Sequence, residues 1–465
     1  MTHIKGMRAS FRDPAGKLIR HDNKIIRWIA PESEDAFRLI ESSSEIKGFI
    51  SRNSIIPYDR VDGDLSLNFA GIGKGGVWVE HPRIAFPTYP EEWTFGMLKA
   101  AASLSLELAD AILADGLELK DCTPYNVLFR GAEPTFVDLL SFTPFTGRSV
   151  WGAYGQCLRT FMLPLWLCKD FGLRLDRLFL CEREGISPEE AGRLVGLGRK
   201  LLPPYLYWLA IPGLLAKFLP AIRESSLEVE VSKRLHRMRI RSLVQALSSC
   251  RRHQGSSNWT EYTADRNYGD SDLAGKLAMV CAALDGLGPN DVVLDVGANT
   301  GEFSVLAAQR GMQVVSLDSD EQSLDLLWEK ARTHGYNILP LVMNIARPTP
   351  ATGWKGEEQI SFMDRASGAF DLILALAVIH HLRFTEGVPL ALQVDLFSTL
   401  TKGRLLVEWV GTKDERVVEL IRRFGYLPAD YTKAQFEAAL EDKFQVLSHE
   451  QVGQTDRWIY LCEKR

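Results

Sequence analysis

The sequence predicts an α/β protein of two parts, in which an α+β domain precedes a parallel sheet covered by helices. Two observations carry this prediction. The chain has 465 residues, more than one ordinary domain contains. After Trp259, short apolar runs alternate with helix-length segments, as in a sheet with both faces covered. The predicted parts are an α+β domain over 1–225, a basic helix and linker over 226–258, and the parallel-sheet domain over 259–465.

The composition indicates a folded protein without a general affinity for nucleic acid. Hydrophobic residues make up 46% of the chain and charged residues 24%, and the net charge is −5. The seven cysteines form no C-x-x-C pair and none stands at metal-ligand spacing from a histidine, which favours a reduced, cytoplasmic setting and no metal site. The first residues lack the apolar core of a secretory signal.

The most apolar segment is "LLPPYLYWLAIPGLLAKFLPAI", over 201–222. Pro212, Gly213 and Lys217 interrupt it, so it predicts buried paired helices. Contact with a membrane surface is the main alternative, and stable membrane insertion is not expected.

The amino-terminal part begins with short strand-like pieces up to about Pro90, followed by a helix over 91–116 and a mainly helical stretch over 150–222. The segment 231–260 then contains no acidic residue and several arginines and lysines. Its apolar stripe changes side between Met238 and Ile240, so this helix could contact both halves of the protein. The basic surface is either a solvated, domain-bridging face or a docking surface for an anionic partner.

In the carboxy-terminal part, the first strand, "VVLDV", ends in a glycine-containing loop. Gly297 permits a tight turn after Asp295, and Gly301 lets a helix begin close to the strand. This geometry is expected to expose backbone N–H groups where doubly wound sheets bind ligands. The spacing is Asp295-x-Gly297-x-x-x-Gly301, with Asp318 at the end of the next strand, and it differs from the G-x-G-x-x-G of dehydrogenases.

This spacing resembles the first motif of class I S-adenosylmethionine-dependent methyltransferases, over about 259–465. The resemblance implies a Rossmann-like sheet of seven strands and S-adenosylmethionine as the cofactor. It assigns the ribose hydroxyls to Asp318, although this residue could instead cap the following helix. The adenine is assigned to Asn344, and Tyr268 belongs to an aromatic cap. The methionine part would contact a loop that comprises Asp295, Gly297, Ala298, Asn299, Thr300 and Gly301.

The resemblance also places three candidate catalytic residues on the substrate side. His380 and His381 follow the fourth strand, where they could act as a base or serve only in capping and packing. Glu408, at the end of the fifth strand, could be a base, a substrate anchor or an ordinary buried carboxylate. The segment lacks the D/N-P-P-Y/F motif of methyltransferases that act on nucleobases, so a small-molecule or glycan acceptor is expected, with O- or C-methylation favoured.

Asp121, Asn126 and Asp138 reproduce the D-x-x-x-x-N and D pattern of kinase-like phosphotransferases. The H-R before the first aspartate, the Phe-Gly after the last one and a convincing phosphate loop are missing. These three residues are therefore expected to pin the loop or to bind the acceptor.

The whole chain is similar to bacterial two-part methyltransferases, including nodulation-associated proteins, in which a degenerate kinase-like half precedes the methyltransferase half. The function expected from this resemblance is methyl transfer, with the amino-terminal half assisting acceptor binding. The alternatives are a non-catalytic scaffold that binds the cofactor and a bifunctional protein with a phosphotransferase-like half.

Overall fold

The computed structural model describes residues 5–6, 12–21, 24–63, 72, 74–148, 150–211, 228–252 and 270–465, with only the backbone at 5, 6, 21 and 270–274. The chain divides into two compact units, each of which comprises three stretches of sequence. The first unit comprises Met1–Phe129, Pro134–Gln254 and Thr352–Gln359. The second unit comprises Arg130–Glu133, Gly255–Ala351 and Ile360–Arg465.

The first unit begins with an antiparallel sheet of five strands in the order β1-β2-β3-β5-β4. The central strands β3 and β5 pair Trp28 with Trp78, and both tryptophans are buried with Ile19 and Ile26. This apolar face fixes the register of the sheet, because a shift by one residue would move it to the opposite side. The strands are β1 Lys5–Gly6, β2 Gly16–His21, β3 Lys24–Ile29, β4 Asp59–Arg60 and β5 Val77–Pro82.

Helices and short strands follow this sheet. The longest early helix, α3, begins after Thr94, whose side chain accepts a hydrogen bond from the backbone N–H of Met97 at 3.2 Å. Four short strands follow as β6 Leu117–Leu119, β7 Val127–Arg130, β8 Glu133–Phe136 and β9 Phe142–Pro144. The helices are α1 Glu34–Ser42, α2 Ser44–Ser51, α3 Phe95–Ala111, α4 Tyr154–Cys157, α5 Leu163–Phe171, α6 Leu175–Cys181, α7 Pro188–Lys200 and α8 Val229–Ser249.

The basic helix α8 packs against α3 within the first unit. His236 lies on its buried face, where a ring nitrogen is 2.9 Å from the backbone oxygen of Arg148. The apolar stripe predicted to end at Met238 is not a buried face, because two of its residues, Val231 and Met238, are 42% and 66% exposed. The prediction that this part of the helix makes a second contact is therefore wrong. The helix instead buries Ser232, His236, Ile240, Leu243 and Leu247, which recur every three or four residues.

The second unit contains a seven-stranded sheet in the order β12-β11-β10-β13-β14-β16-β15, which confirms the predicted sheet. Neighbouring strands from β12 to β14 are parallel, whereas β16 runs antiparallel to both β14 and β15. The strands are β10 Val292–Val296, β11 Gln313–Asp318, β12 Ile338–Val342, β13 Phe370–Ala375, β14 Thr401–Val410, β15 Phe444–Gln451 and β16 Arg457–Lys464.

Helices connect these strands, and two of them, α15 and α16, lie in a stretch for which the sequence analysis made no assignment. The helices of the second unit are α9 Asp270–Leu284, α10 Glu302–Gln309, α11 Glu321–His334, α12 Phe362–Ala366, α13 Ile379–Phe384, α14 Leu390–Leu400, α15 Glu415–Phe424 and α16 Lys433–Lys443.

The apolar segment 201–222 is described only as far as Ile211. Tyr205 and Trp208 are buried, but Leu201 and Leu202 are 68% and 57% exposed, so the prediction of burial is wrong for these two leucines. Pro212, Gly213 and Lys217 lie outside the described residues. Within the part of the chain that is described, no helix is long and apolar enough to cross a membrane.

The packing of α8 on the first unit yields a stability prediction. Leu243→Ala removes a fully buried side chain and should lower the free energy of unfolding by about 2–5 kcal/mol, because a cavity remains. The matched control is Val244→Ala, one residue further along and 44% exposed, which should change it by less than about 0.5 kcal/mol. Guanidinium titration followed by circular dichroism measures both, and equal losses would contradict this packing.

Candidate functional site

The loop between β10 and α10 makes a tight turn that depends on glycine. Gly297 and Gly301 have φ values of 75° and 77°, and Asn299 has a φ of 49°. A Cβ atom on Gly301 would lie 2.2 Å from Leu327 Cδ1, and one on Gly297 would lie 2.8 Å from Val378 Cγ2. The turn therefore brings the start of α10 close to its neighbours and leaves no room for larger residues at either glycine.

The backbone N–H groups of this loop are used largely within the protein. Those of Gly297 and Ala298 donate to the carbonyl oxygen of Leu317 at 2.8 and 2.9 Å, and that of Gly301 donates to Ala298 at 2.8 Å. The N–H of Asn299 donates to an Asp318 carboxylate oxygen at 2.9 Å. The expectation that the loop presents these amides to a ligand is wrong for these four, because the turn itself needs them. The Asn299 Oδ1 atom is buried without a hydrogen-bond partner among the described residues.

Asp295 lies at the end of β10, is only 2% exposed, and lines a cleft. Its Oδ2 atom accepts a hydrogen bond from the Ser304 hydroxyl at 2.6 Å, and the Ser304 and Ser316 hydroxyl oxygens are 2.7 Å apart. Burial raises the pKa of Asp295 to about 6. The carboxylate is still mostly ionised at neutral pH, so it can accept from an ammonium group.

Asp318 ends the neighbouring strand β11 and lines the same cleft. Each of its oxygens accepts one backbone hydrogen bond at 2.9 Å, from Asn299 and from Asp320. Burial raises its pKa. The side chain that caps α11 is that of Asp320, which accepts from the N–H of Gln322 at 3.0 Å, so helix capping does not explain Asp318. A carboxylate has about four acceptor positions, and Asp318 can therefore also accept from two ribose hydroxyls.

Asn344 follows β12 and lies in the cleft lining with the apolar side chains of Met343 and Ile345. Its side-chain amide donates to Glu386 Oε1 at 2.8 Å, and its Oδ1 accepts from the N–H of Ala346 at 2.9 Å. Glu386 was not identified from the sequence. These contacts fix Asn344, while the apolar neighbours can pack against an adenine ring.

The structure separates the three candidate catalytic residues. His381 lines the cleft, but His380 is 1% exposed and Glu408 is 0% exposed, and neither belongs to the lining. The two histidines are successive residues of α13 and their ring centroids lie 4.2 Å apart, so the rings pack together although only that of His381 lines the cleft. Burial lowers the pKa of His381 to about 4 and that of His380 well below its ordinary value. The predicted roles of His380 and Glu408 as direct catalysts therefore lack support from the geometry.

Glu408 instead holds two cations at the cleft wall. Both of its oxygens contact Lys276 Nζ, at 2.7 and 2.9 Å, and Oε1 lies 3.3 Å from Arg457 Nη1. Asp414 accepts from Arg457 through both oxygens, at 2.7 and 3.1 Å. Lys276 and Arg457 both line the cleft. The sequence analysis missed these two cations, and the only local signal was a single lysine within the apolar helix α9.

The cleft has a volume of about 1310 Å³. Typical small-molecule pockets measure roughly 300–1,000 Å³. The cleft therefore has room for a cofactor and a second ligand. Tyr268, the remaining predicted cofactor residue, lies outside the described residues, as do the neighbouring aromatic residues Trp259 and Tyr262.

In the first unit, hydrogen bonds link the Asn126 side chain to the backbone of Asp121 and, through Ser141, to the carboxylate of Asp138. The Asn126 amide donates to the Ser141 hydroxyl at 2.9 Å and to the backbone oxygen of Asp121 at 3.4 Å. The Ser141 hydroxyl in turn donates to Asp138 Oδ2 at 2.6 Å. The other oxygen of Asp138 pairs with Arg27 at 2.9 Å.

Electrostatics distinguish the two aspartates of this group. Burial raises the pKa of Asp121. Burial acts in the same direction on Asp138, but the Arg27 guanidinium and the Ser141 hydroxyl outweigh it and hold that pKa below its ordinary value. Among the described residues, no three His, Cys, Asp or Glu side chains are grouped so that they could hold a metal ion.

Comparisons with known proteins show similarity to methyltransferases. A family model described as a methyltransferase domain matches residues 294–393, from β10 through the histidine pair to α14. The nodulation protein NoeA of Rhizobium meliloti (strain 1021) is 27% identical over 461 residues, which cover 98% of this chain and 95% of NoeA. The protein is an S-adenosylmethionine-dependent methyltransferase. S-Adenosylmethionine is accordingly its cofactor.

Two solved structures are also similar to the methyltransferase. Magnesium protoporphyrin IX methyltransferase (ChlM) from Synechocystis PCC 6803, with bound SAM, is 17% identical and has a TM-score of 0.31, covering 46% of this chain and 87% of that one. The N-methyltransferase NodS from Bradyrhizobium japonicum WM9 is 13% identical with a TM-score of 0.31, covering 42% of this chain and 97% of that one.

The geometry at the end of β11 predicts the effect of Asp318→Asn. The substitution removes the charge and one acceptor oxygen, and hydrogen bonds to charged groups are worth about 1.5–3 kcal/mol. We therefore expect the affinity for S-adenosylmethionine to fall about ten- to a hundredfold in calorimetry. Asp320→Ala is the control, because it removes the cap of α11 at a cost of about 1 kcal/mol but should leave the affinity nearly unchanged. Equal affinities for wild type and Asp318→Asn would contradict this role.

Proposed function

We propose that the methyltransferase acts on oxygen or carbon of a small molecule or glycan, and that the amino-terminal unit assists acceptor binding. The observation that carries this proposal is the polar lining of the cleft beyond the cofactor loop. There, α15 and the turn between β15 and β16 supply hydrogen-bonding side chains: Arg416, Glu419, Gln451, Gln454 and Thr455. Hydroxyl-rich acceptors can exchange hydrogen bonds with such groups, whereas an apolar acceptor would displace water from them without offering a hydrogen bond in return.

Two features favour this class of acceptor over a nucleic-acid base. The chain has a net charge of −5, so the protein as a whole does not attract a polyanion. The segment after β13 reads "LAVIHHL" and lacks the D/N-P-P-Y/F motif, with no proline, phenylalanine or tyrosine to hold a flat nucleobase. The name of the relative NoeA associates that protein with nodulation, which is compatible with many small molecules and glycans.

The amino-terminal unit is proposed to be a degenerate kinase-like domain that binds or positions the acceptor. An antiparallel sheet, a helix and a polar loop with Asp121, Asn126 and Asp138 follow one another along the chain, which supports this assignment. In phosphotransferases of this type, the last aspartate holds magnesium. Here Arg27 occupies an oxygen of Asp138, and a guanidinium is never deprotonated in proteins. This ion pair argues against the phosphotransferase alternative.

A labelling experiment tests the class of acceptor. We expect the full-length protein to transfer tritium from the labelled methyl group of S-adenosylmethionine into the small-molecule or glycan fraction of a bacterial extract. The nucleic-acid fraction, treated in parallel, should stay unlabelled. Label confined to RNA or DNA would refute the proposed acceptor class, and binding of S-adenosylhomocysteine without any transfer would favour the scaffold alternative.

Asp121→Ala tests the role of the amino-terminal unit. Removing this half-buried carboxylate should raise the KM for the acceptor or lower the stability of the unit, because Asp121 is proposed to bind the acceptor or to pin its loop. The affinity for S-adenosylmethionine should stay within about twofold of wild type, because the cleft belongs to the second unit.

The wild-type protein is also expected to show no magnesium-dependent ATP turnover. Turnover that disappeared in Asp138→Ala would show that the amino-terminal unit is an active phosphotransferase.

A further inference from the structure

The Lys and Arg side chains that line the cleft are all at one end of the sheet. Around the cofactor loop, on the side of β10, β11 and β12, the charged lining residues among those described are acidic: Asp295, Glu302, Asp318 and Glu386. The cations belong to α9, the segment after β14, and β16: Lys276, Lys413, Arg416, Arg423 and Arg457. S-Adenosylmethionine is itself cationic at its sulfonium and ammonium groups, so the acidic end suits the cofactor and the other end remains for the acceptor.

Four acidic side chains also line the acceptor end: Asp414, Glu415, Glu419 and Asp456. Asp456 accepts a hydrogen bond from the backbone N–H of Lys413 at 3.0 Å. Asp414 pairs with Arg457, and Glu419 lies 3.5 Å from Arg416 on the same helix. The pKa of His381 indicates whether the positive or the negative charges act on it more strongly, because this residue lies in the cleft lining with these groups. Burial has the largest effect on the pKa of His381 and lowers it. The next largest effects are those of Arg416 and Arg457, which also lower this pKa, whereas Glu419 raises it by a smaller amount. The charges that act most strongly on His381 are thus positive ones, those of Arg416 and Arg457.

Such surroundings are poorly suited to a general base. His381, with a pKa of about 4, is neutral at pH 7 but too weakly basic to take a proton from an alcohol efficiently. His380 lies outside the lining, and Glu408 is fully engaged with Lys276 and Arg457. The three predicted catalytic residues thus leave a neutral hydroxyl acceptor without a suitable proton acceptor.

We propose that the acceptor is an oxyanion, a carboxylate or phosphate group on a small molecule or glycan, held by Lys276, Arg416 and Arg457 and methylated on its charged oxygen. This inference rests on the proposed function and specifies its substrate class. In the transfer, the carbon–sulfur bond breaks as the oxygen–carbon bond forms. Sulfur leaves as a neutral thioether, the oxygen loses its negative charge, and no proton needs to be removed.

Binding of simple anions to the full-length protein saturated with S-adenosylhomocysteine tests this proposal. Inorganic phosphate and acetate are titrated separately in a calorimeter at constant ionic strength. At least one of them should bind saturably, and the one that binds more tightly identifies the acceptor group as phosphate or carboxylate. Failure of both anions to saturate would overturn the proposal. The proposed function would fail differently, because the methyl label would then be confined to RNA or DNA.

A matched pair of variants on α15 separates the site from general charge attraction. Arg416→Gln removes a cation from the cleft and should weaken binding of that anion about tenfold, which corresponds to one charge-assisted hydrogen bond. Arg422→Gln removes the same charge from an exposed position outside the cleft lining and should have no measurable effect. Both variants should still bind S-adenosylhomocysteine. Equal anion affinities in the two variants would overturn the proposal.

The chemistry of the labelled product provides a second, independent test. A methyl ester of a carboxylate releases labelled methanol in mild alkali, and a methyl phosphate diester survives alkali but is cleaved by a phosphodiesterase. Either behaviour is the expected result. A methyl ether or a C-methyl product, which resists both treatments, would overturn the proposal and leave the methyltransferase assignment intact.

Discussion

The buried carboxylate of Glu408 is the constraint on which the acceptor end of the cleft depends. A charge with no exposure to solvent must be paired, and Glu408 draws Lys276 from α9 and Arg457 from β16 to the same point. Removing one partner from such a buried group costs about 3–5 kcal/mol, because the remaining charge is left uncompensated. Glu408 therefore joins three elements of the second unit and fixes two cations in the lining, although it does not reach the cleft itself.

The cofactor end depends on a steric constraint instead. The β10–α10 turn needs positive φ at Gly297 and Gly301, and it consumes several of its own N–H groups in closing. Beyond these N–H groups, the cleft is lined at the strand ends by the side chains of Asp295 and Asp318. Both are acidic and partly desolvated, which strengthens their interaction with a cationic ligand. The two ends of the cleft thus differ in charge and in the way each is held in place.

The sequence predicted the sheet and the cofactor loop because their signals are local. Alternating apolar runs, glycine spacing and an acid at a strand end are all visible within about 30 residues. The acceptor end has no such signal, since Lys276 and Arg457 are 132 and 49 residues away from Glu408 along the chain. The sequence also could not distinguish His380 from His381, which are adjacent and of the same type. In the structure, His380 is buried, whereas His381 lines the cleft. Which charged residues pair across a fold depends on how its helices and strands pack, and this cannot be read from the spacing of residues in the sequence.

The first unit also combines a local sequence signal, which the sequence analysis identified, with a long-range charge partner, which it did not. The spacing of Asp121, Asn126 and Asp138 singled out a loop in which Ser141 bridges Asn126 and Asp138 by hydrogen bonds. It could not predict that Arg27, from a strand more than 100 residues earlier, would neutralise Asp138. A metal ion would have to displace a permanently charged guanidinium that also donates to the backbone oxygen of Val137 at 3.1 Å. The pairing with Arg27 therefore changes the charge at this loop, and its polar side chains have a structural reason to be there without metal chemistry.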